Sequence, residues 1–117
     1  MKAVQPYGYH LLNVNLLLTS AGLTAAIVSP GVSGVPTDEY TDIHSVTISG
    51  NDTATQVVTL TDGVVTATYY VSTTARVVEQ SLVPRRFGKG RQVVVSAGSV
   101  TATKTISVLV RGVTTKT

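Results

Sequence analysis

The stretch Val57-Val58-Thr59-Leu60-Thr61-Asp62-Gly63-Val64-Val65-Thr66-Ala67-Thr68-Tyr69-Tyr70-Val71 decides the fold class. Two β-branched runs flank Asp62-Gly63, a dipeptide that tolerates positive φ, so the sequence predicts a hairpin closed by a two-residue type I′ turn. Moving outward, Ile43 to Ser49 reads as another strand, ended by Gly50-Asn51-Asp52. Val93-Val94-Val95-Ser96 and the run from Val100 flank Ala97-Gly98-Ser99 and predict a second hairpin. The last strand alternates most cleanly. Val100, Ala102, Ile106, Val108 and Val110 fall on one face, interrupted by Lys104, with Thr101, Thr103, Thr105, Ser107 and Arg111 on the other. Leu11–Leu18, Leu23–Val28 and Thr74–Glu79 are weaker strand candidates, and Ser29 to Thr41, with Pro30, Gly31, Gly34 and Pro36, is the longest predicted loop. About eight short strands without a helical period imply an all-β antiparallel sandwich. A jelly-roll is preferred to an immunoglobulin-like arrangement, because no Cys–Trp–Cys framework is present.

Composition agrees. Of 117 residues, 21 are Val and 19 Thr, and these β-branched side chains stiffen χ1 and suit a pleated surface. The length fits one domain, 1–117, with residues 1–10 expected as an extended N-terminal arm and 113–117 as a C-terminal tail. An apolar content of 43% argues against disorder, and 13% charged residues are too few for a coiled coil. The absence of Cys removes disulfides and thiolate metal sites. No apolar run reaches the roughly 18 residues of a membrane-spanning helix, so no membrane partner is expected. Asn13 and Asn15 interrupt Leu11–Leu18, and Pro6 to His10 separate that run from Lys2, which favours an extended segment over a cleaved leader. Ordered polar ends would imply packing against a neighbouring chain.

Charge is unevenly placed. All six acids lie between Asp38 and Glu79, and no acid follows Glu79, after which come seven of the nine cations. Four of them fall in Arg85-Arg86-Phe87-Gly88-Lys89-Gly90-Arg91, behind Pro84, in what the sequence reads as a shaped basic loop. Three uses fit it: contact with an acidic protein surface, phosphate binding with Phe87 stacked on a base, or a solvated hairpin tip. Protein contact is preferred, because a net charge of +3 is modest for a nucleic-acid binder and no row of aromatics accompanies the loop. Tyr7 and Tyr9, two residues apart in the N-terminal segment, share a side and would anchor the same kind of contact.

Other chemistry finds little support. Asp38, Glu39 and Asp42 lie close enough together for a hard cation but lack the glycine-punctuated loop of a calcium site. His10 and His44 stand apart without Cys or nearby carboxylates, and Gly31-Val32-Ser33-Gly34 lacks the spacing of a nucleophile elbow. Gly88-Lys89-Gly90 lacks the opening Gly and following Ser or Thr of a phosphate-binding P-loop. Neither an enzyme nor a cofactor is expected.

The whole chain, Cys-free, rich in Thr and Val, poor in charge and carrying extended ends and a basic loop, resembles in size and composition the small capsid decoration, or cement, proteins of tailed bacteriophages. That resemblance implies a homo-oligomer on the capsid surface that binds and staples the major capsid protein. An alternative is a sandwich module that binds a receptor or glycan, with Tyr7, Tyr9 and Tyr40 stacking on sugars. Nucleic-acid binding through 85–91 is a further alternative.

Overall fold

The computed structural model describes residues 10–32 and 35–116, with the side chains of 81–83 outside the description. Eight strands follow in order: β1 (His10–Thr19), β2 (Thr24–Val28), β3 (Tyr40–Gly50), β4 (Gln56–Thr61), β5 (Thr66–Val71), β6 (Val77–Phe87), β7 (Val93–Ala97) and β8 (Thr105–Thr115). They form two four-stranded sheets, ordered β1-β8-β3-β6 and β2-β7-β4-β5, and all pairs are antiparallel. First pairs with last, second with seventh, third with sixth and fourth with fifth. That nesting describes one long hairpin rolled over on itself, which is a jelly-roll.

Period-two alternation places the core between the sheets. On β8, Ile106, Val108 and Val110 are buried while Ser107 and Arg111 are exposed. The facing side chains come from β3 (Val46, Ile48), β4 (Val58, Leu60) and β7 (Val93, Val95), closed by Leu18 and Phe87. Small Val side chains dominate this interior, and Phe87 is its largest fully buried side chain.

Four expectations need correction. The segment around Gly98 is not a hairpin. β7 pairs with β2 and β4, whereas β8 pairs with β1 and β3, so residues 98–104 carry the chain across from one sheet to the other. The β4–β5 turn is longer than type I′. Asp62 N–H donates to the Val65 carbonyl at 3.2 Å, and positive φ occurs at Gly63 (94°) but not at Asp62. Arg85, Arg86 and Phe87 belong to β6 and pair with Ile43, Asp42 and Thr41. Pro84 is tolerated there because β6 is an edge strand, and the β3–β6 register breaks nearby, between Ile43 and Ser45. Finally, residues 113–115 are strand rather than tail, since β3 reaches far enough to pair Tyr40 with Thr115.

Candidate functional site

The basic segment lies at the end of the sandwich that carries the β2–β3, β4–β5 and β6–β7 connections. Alternation along β6 sends Phe87 inward and Arg86 outward. Arg86 makes a forked ion pair with Asp42, Nε to Oδ1 at 2.7 Å and Nη2 to Oδ2 at 2.8 Å. The hydrogen-bonded carboxylate raises the guanidinium's pKa. Its carbon also stands 4.5 Å from the centroid of the Tyr40 ring, and Lys89 Nζ approaches the same ring at 5.9 Å.

The loop after β6 is held by backbone geometry. Asp62 Oδ2 accepts from Gly88 N–H at 2.6 Å, while Oδ1 accepts from Val64 and Val65 N–H at 2.8 and 2.7 Å. One carboxylate thus fastens the β4–β5 turn and the β6–β7 loop together. Burial alone would raise the Asp62 pKa, but these three donors and the nearby Arg91 charge outweigh it and lower it. Gly90 has φ of +68° and donates to the Glu39 carbonyl at 2.9 Å, and a Cβ there would run into the Thr37 carbonyl. Lys89 and Arg91 are exposed on this fixed loop and form no ion pair among the described residues.

Arg85 diverges from its neighbours. It approaches Glu79 Oε1 at 3.9 Å, beside the Tyr69 hydroxyl that donates to the same oxygen at 3.0 Å. Burial and then the Glu79 hydrogen bond push the Tyr69 phenol up to about 12. This cluster links β5 of one sheet to β6 of the other and is a structural edge contact.

The structure therefore divides the predicted set. Lys89 and Arg91 are presented to solvent together. Arg86 is committed to Asp42 and Tyr40, and Arg85 faces Glu79. Phe87 has no exposed surface and cannot stack on a base, which overturns its stacking assignment. Tyr7 and Tyr9 lie outside the described residues. Tyr40, a candidate sugar platform, already has Arg86 and Lys89 over its ring. The acids Asp38, Glu39 and Asp42 go to three different partners, Lys116 at 3.6 Å, the His10 ring at 3.2 Å and Arg86, and so do not converge on one point.

Two features escape a reading of the sequence. A cleft of about 320 Å³ opens beside the start of β1, lined by apolar side chains including Leu12, Ile27, Val28, Val35 and Pro36. His10 is also part of its lining. The Glu39 carboxylate bonded to His10 is buried, and its Oε2 has no hydrogen-bond partner among the described residues. Asp52 forms a second clamp at the opposite end, accepting from Thr101 Oγ1 at 2.6 Å, Ala54 N–H at 3.0 Å and Gln56 Nε2 at 3.1 Å. Ala54 and Gln56 are close in sequence, but Thr101 lies 49 residues away and leaves no local signature.

No family model and no curated protein matches the chain. Among solved structures it is similar to the virus-like particle of extra small virus from the giant freshwater prawn Macrobrachium rosenbergii, determined by cryo-EM. The identity is 14% and the TM-score 0.35, over 96% of this chain and 83% of that one. The jelly-roll assignment rests on the strand order described above.

Proposed function

We propose that the protein is a structural component of a viral particle, a cement subunit on the capsid surface that binds the major capsid protein. The observation that carries this reading is how the jelly-roll distributes its side chains. Asp52 and Asp62 fasten loops, and Asp42 and Glu39 are buried against Arg86 and His10. Apolar groups, in contrast, stand on the outer faces, including Leu11, Leu17, Val57, Tyr70 and Val78. Val57 and Tyr70 are direct cross-strand partners, so they form one exposed apolar pair on β4–β5. Exposed apolar groups of this kind favour burial between subunits. Jelly-rolls recur in viral capsids, which supports the reading by analogy of fold.

Within this reading Lys89 and Arg91 supply the cationic contact to an acidic patch on the capsid subunit, with Arg86 and Tyr40 supporting the loop. Native mass spectrometry and electron microscopy of the assembly purified with this chain test the proposal. Many copies beside a larger shell subunit are the expected result. A shell built of this chain alone would overturn the cement role, and an unassembled chain would overturn the virion role as well.

A further inference from the structure

Among the described residues the two sheets end on four strands: β1 and β6 in one, β2 and β5 in the other. An unpaired edge offers its backbone N–H and C=O groups to any strand that fits, and folded proteins blunt such edges with charge, Pro, bulges or shortness. β6 carries Glu79, Pro84, Arg85 and Arg86 together with the break in register against β3. β2 has five residues and a register shift between Ala26 and Val28, and β5 has six residues. β1 has none of these protections. It runs ten residues, His10–Thr19, in unbroken register with β8, without Pro, Lys, Arg, Asp or Glu.

The sequence of that edge specifies what would pair with it. Leu11-Leu12-Asn13-Val14-Asn15-Leu16-Leu17 reads the same in both directions. We propose that β1 pairs antiparallel with β1 of a second copy, about a two-fold axis through Val14. In this register Leu11 faces the partner's Leu17, Leu12 faces the partner's Leu16, Asn13 faces the partner's Asn15, and the two Val14 residues face each other. On the outer face the matches join Leu11, 83% exposed, to Leu17, 58% exposed, and bring the Asn amides together, each offering a donor and an acceptor. On the inner face, Leu12, Val14 and Leu16, which are half-buried and packed on the core, gain the cover of their symmetry mates. The strand carries no charged residue to repel its copy.

The contact is isologous and closes on itself. The joined sheet would run β6-β3-β8-β1 and then the same order reversed in the second copy, leaving the protected β6 strands at both ends. Growth therefore stops at two chains instead of continuing into a fibre. This dimer does not depend on the virion reading and stands or falls separately.

Sedimentation velocity on the full chain tests it, with Leu11→Lys/Leu17→Lys and Leu11→Lys/Leu17→Glu as variants. Wild type is expected at twice 12.2 kDa. The double-Lys variant should weaken association roughly a hundredfold or more, since it sets Lys against Lys in two cross-strand pairs. The Lys/Glu variant should restore the dimer, because each new Lys then faces a new Glu. Circular dichroism should match wild type in both, the substituted side chains being exposed. Because the chain has no Cys, Asn13→Cys and Asn15→Cys chains give a second readout. Mixed and oxidised they should cross-link to each other, and neither should cross-link with itself. A monomeric wild type at ~0.5 mM, a dimer that persists in the double-Lys variant, failure of the Lys/Glu variant to restore association, or self-cross-linking of either Cys chain would overturn the proposal.

Discussion

Phe87 has no exposed surface, while Arg86 beside it projects to the other side of β6 against Asp42 and Tyr40. The two residues should respond to substitution in different ways. Phe87→Ala removes the largest fully buried side chain and should cost about 3–5 kcal/mol in urea unfolding. Lys89→Ala and Arg91→Ala should each change stability by about 0.5 kcal/mol or less, as exposed loop substitutions do. Asp62 behaves as a core residue despite its charge. Asp62→Ala leaves three backbone donors without their acceptor and should cost about 2–3 kcal/mol. Its pH signature follows from the lowered pKa. The folded state binds this proton less readily than the unfolded chain, whose Asp titrates near 3.9, so the stabilisation is present above about pH 4. It is lost as pH falls through the folded value. Urea midpoints at pH 7 and pH 3 should therefore converge in Asp62→Ala relative to wild type.

Contacts between strands carry the next set of expectations. The raised Tyr69 phenol favours the protonated hydroxyl in the folded state, so its contribution is intact below about pH 10 and is lost as pH rises toward about 12. Tyr69→Phe should flatten the stability profile across that window, separating the β5–β6 link from general alkaline unfolding. Gly112 sits on β8 opposite Ile43, where β3 breaks register, and a Cβ there would overlap the Asp42 carbonyl. Gly112→Ala should force β3 and β8 apart, at a cost of about 3 kcal/mol or more, visible as a lowered Tm. Much at this scale is legible in sequence. Ile106, Val108 and Val110 announce their face because period two is a local property. The β7–β8 crossing is not legible, because Ala97-Gly98-Ser99 permits a turn without specifying which sheet receives the next strand. Phe87 misleads for a related reason: β6 alternates, so a core side chain can sit directly beside outward cations. Asp62-Gly63 reveals a turn, but not the bond from Asp62 to Gly88, which lies 26 residues away.

At the scale of the whole molecule, charge is sorted by depth. Four of the six acids, Glu39, Asp42, Asp52 and Asp62, are buried, whereas Lys89 and Arg91 face outward. The lopsided charge along the sequence indicates a basic surface, and within the 85–91 segment Lys89 and Arg91 are the cations without an ion pair among the described residues. Under the proposed cement role, Lys89→Glu/Arg91→Glu should abolish co-sedimentation with particles, while urea unfolding of the isolated chain stays within about 0.5 kcal/mol of wild type. Reversal at Arg86 would be a poor test, because it also breaks the fork to Asp42.

The position of β8 between β1 and β3 also bears on how the chain is made. A ribosome delivers β1 first and β8 last of the eight strands, yet β8 is the one that joins β1 to the rest of its sheet. Throughout elongation β1 has no intramolecular neighbour, and both of its long sides remain open. The same palindromic seven residues then emerge from successive ribosomes on one message. If β1 pairs as proposed, nascent chains can meet through it before either finishes its own sheet, and slow delivery of the last strand prolongs that exposure.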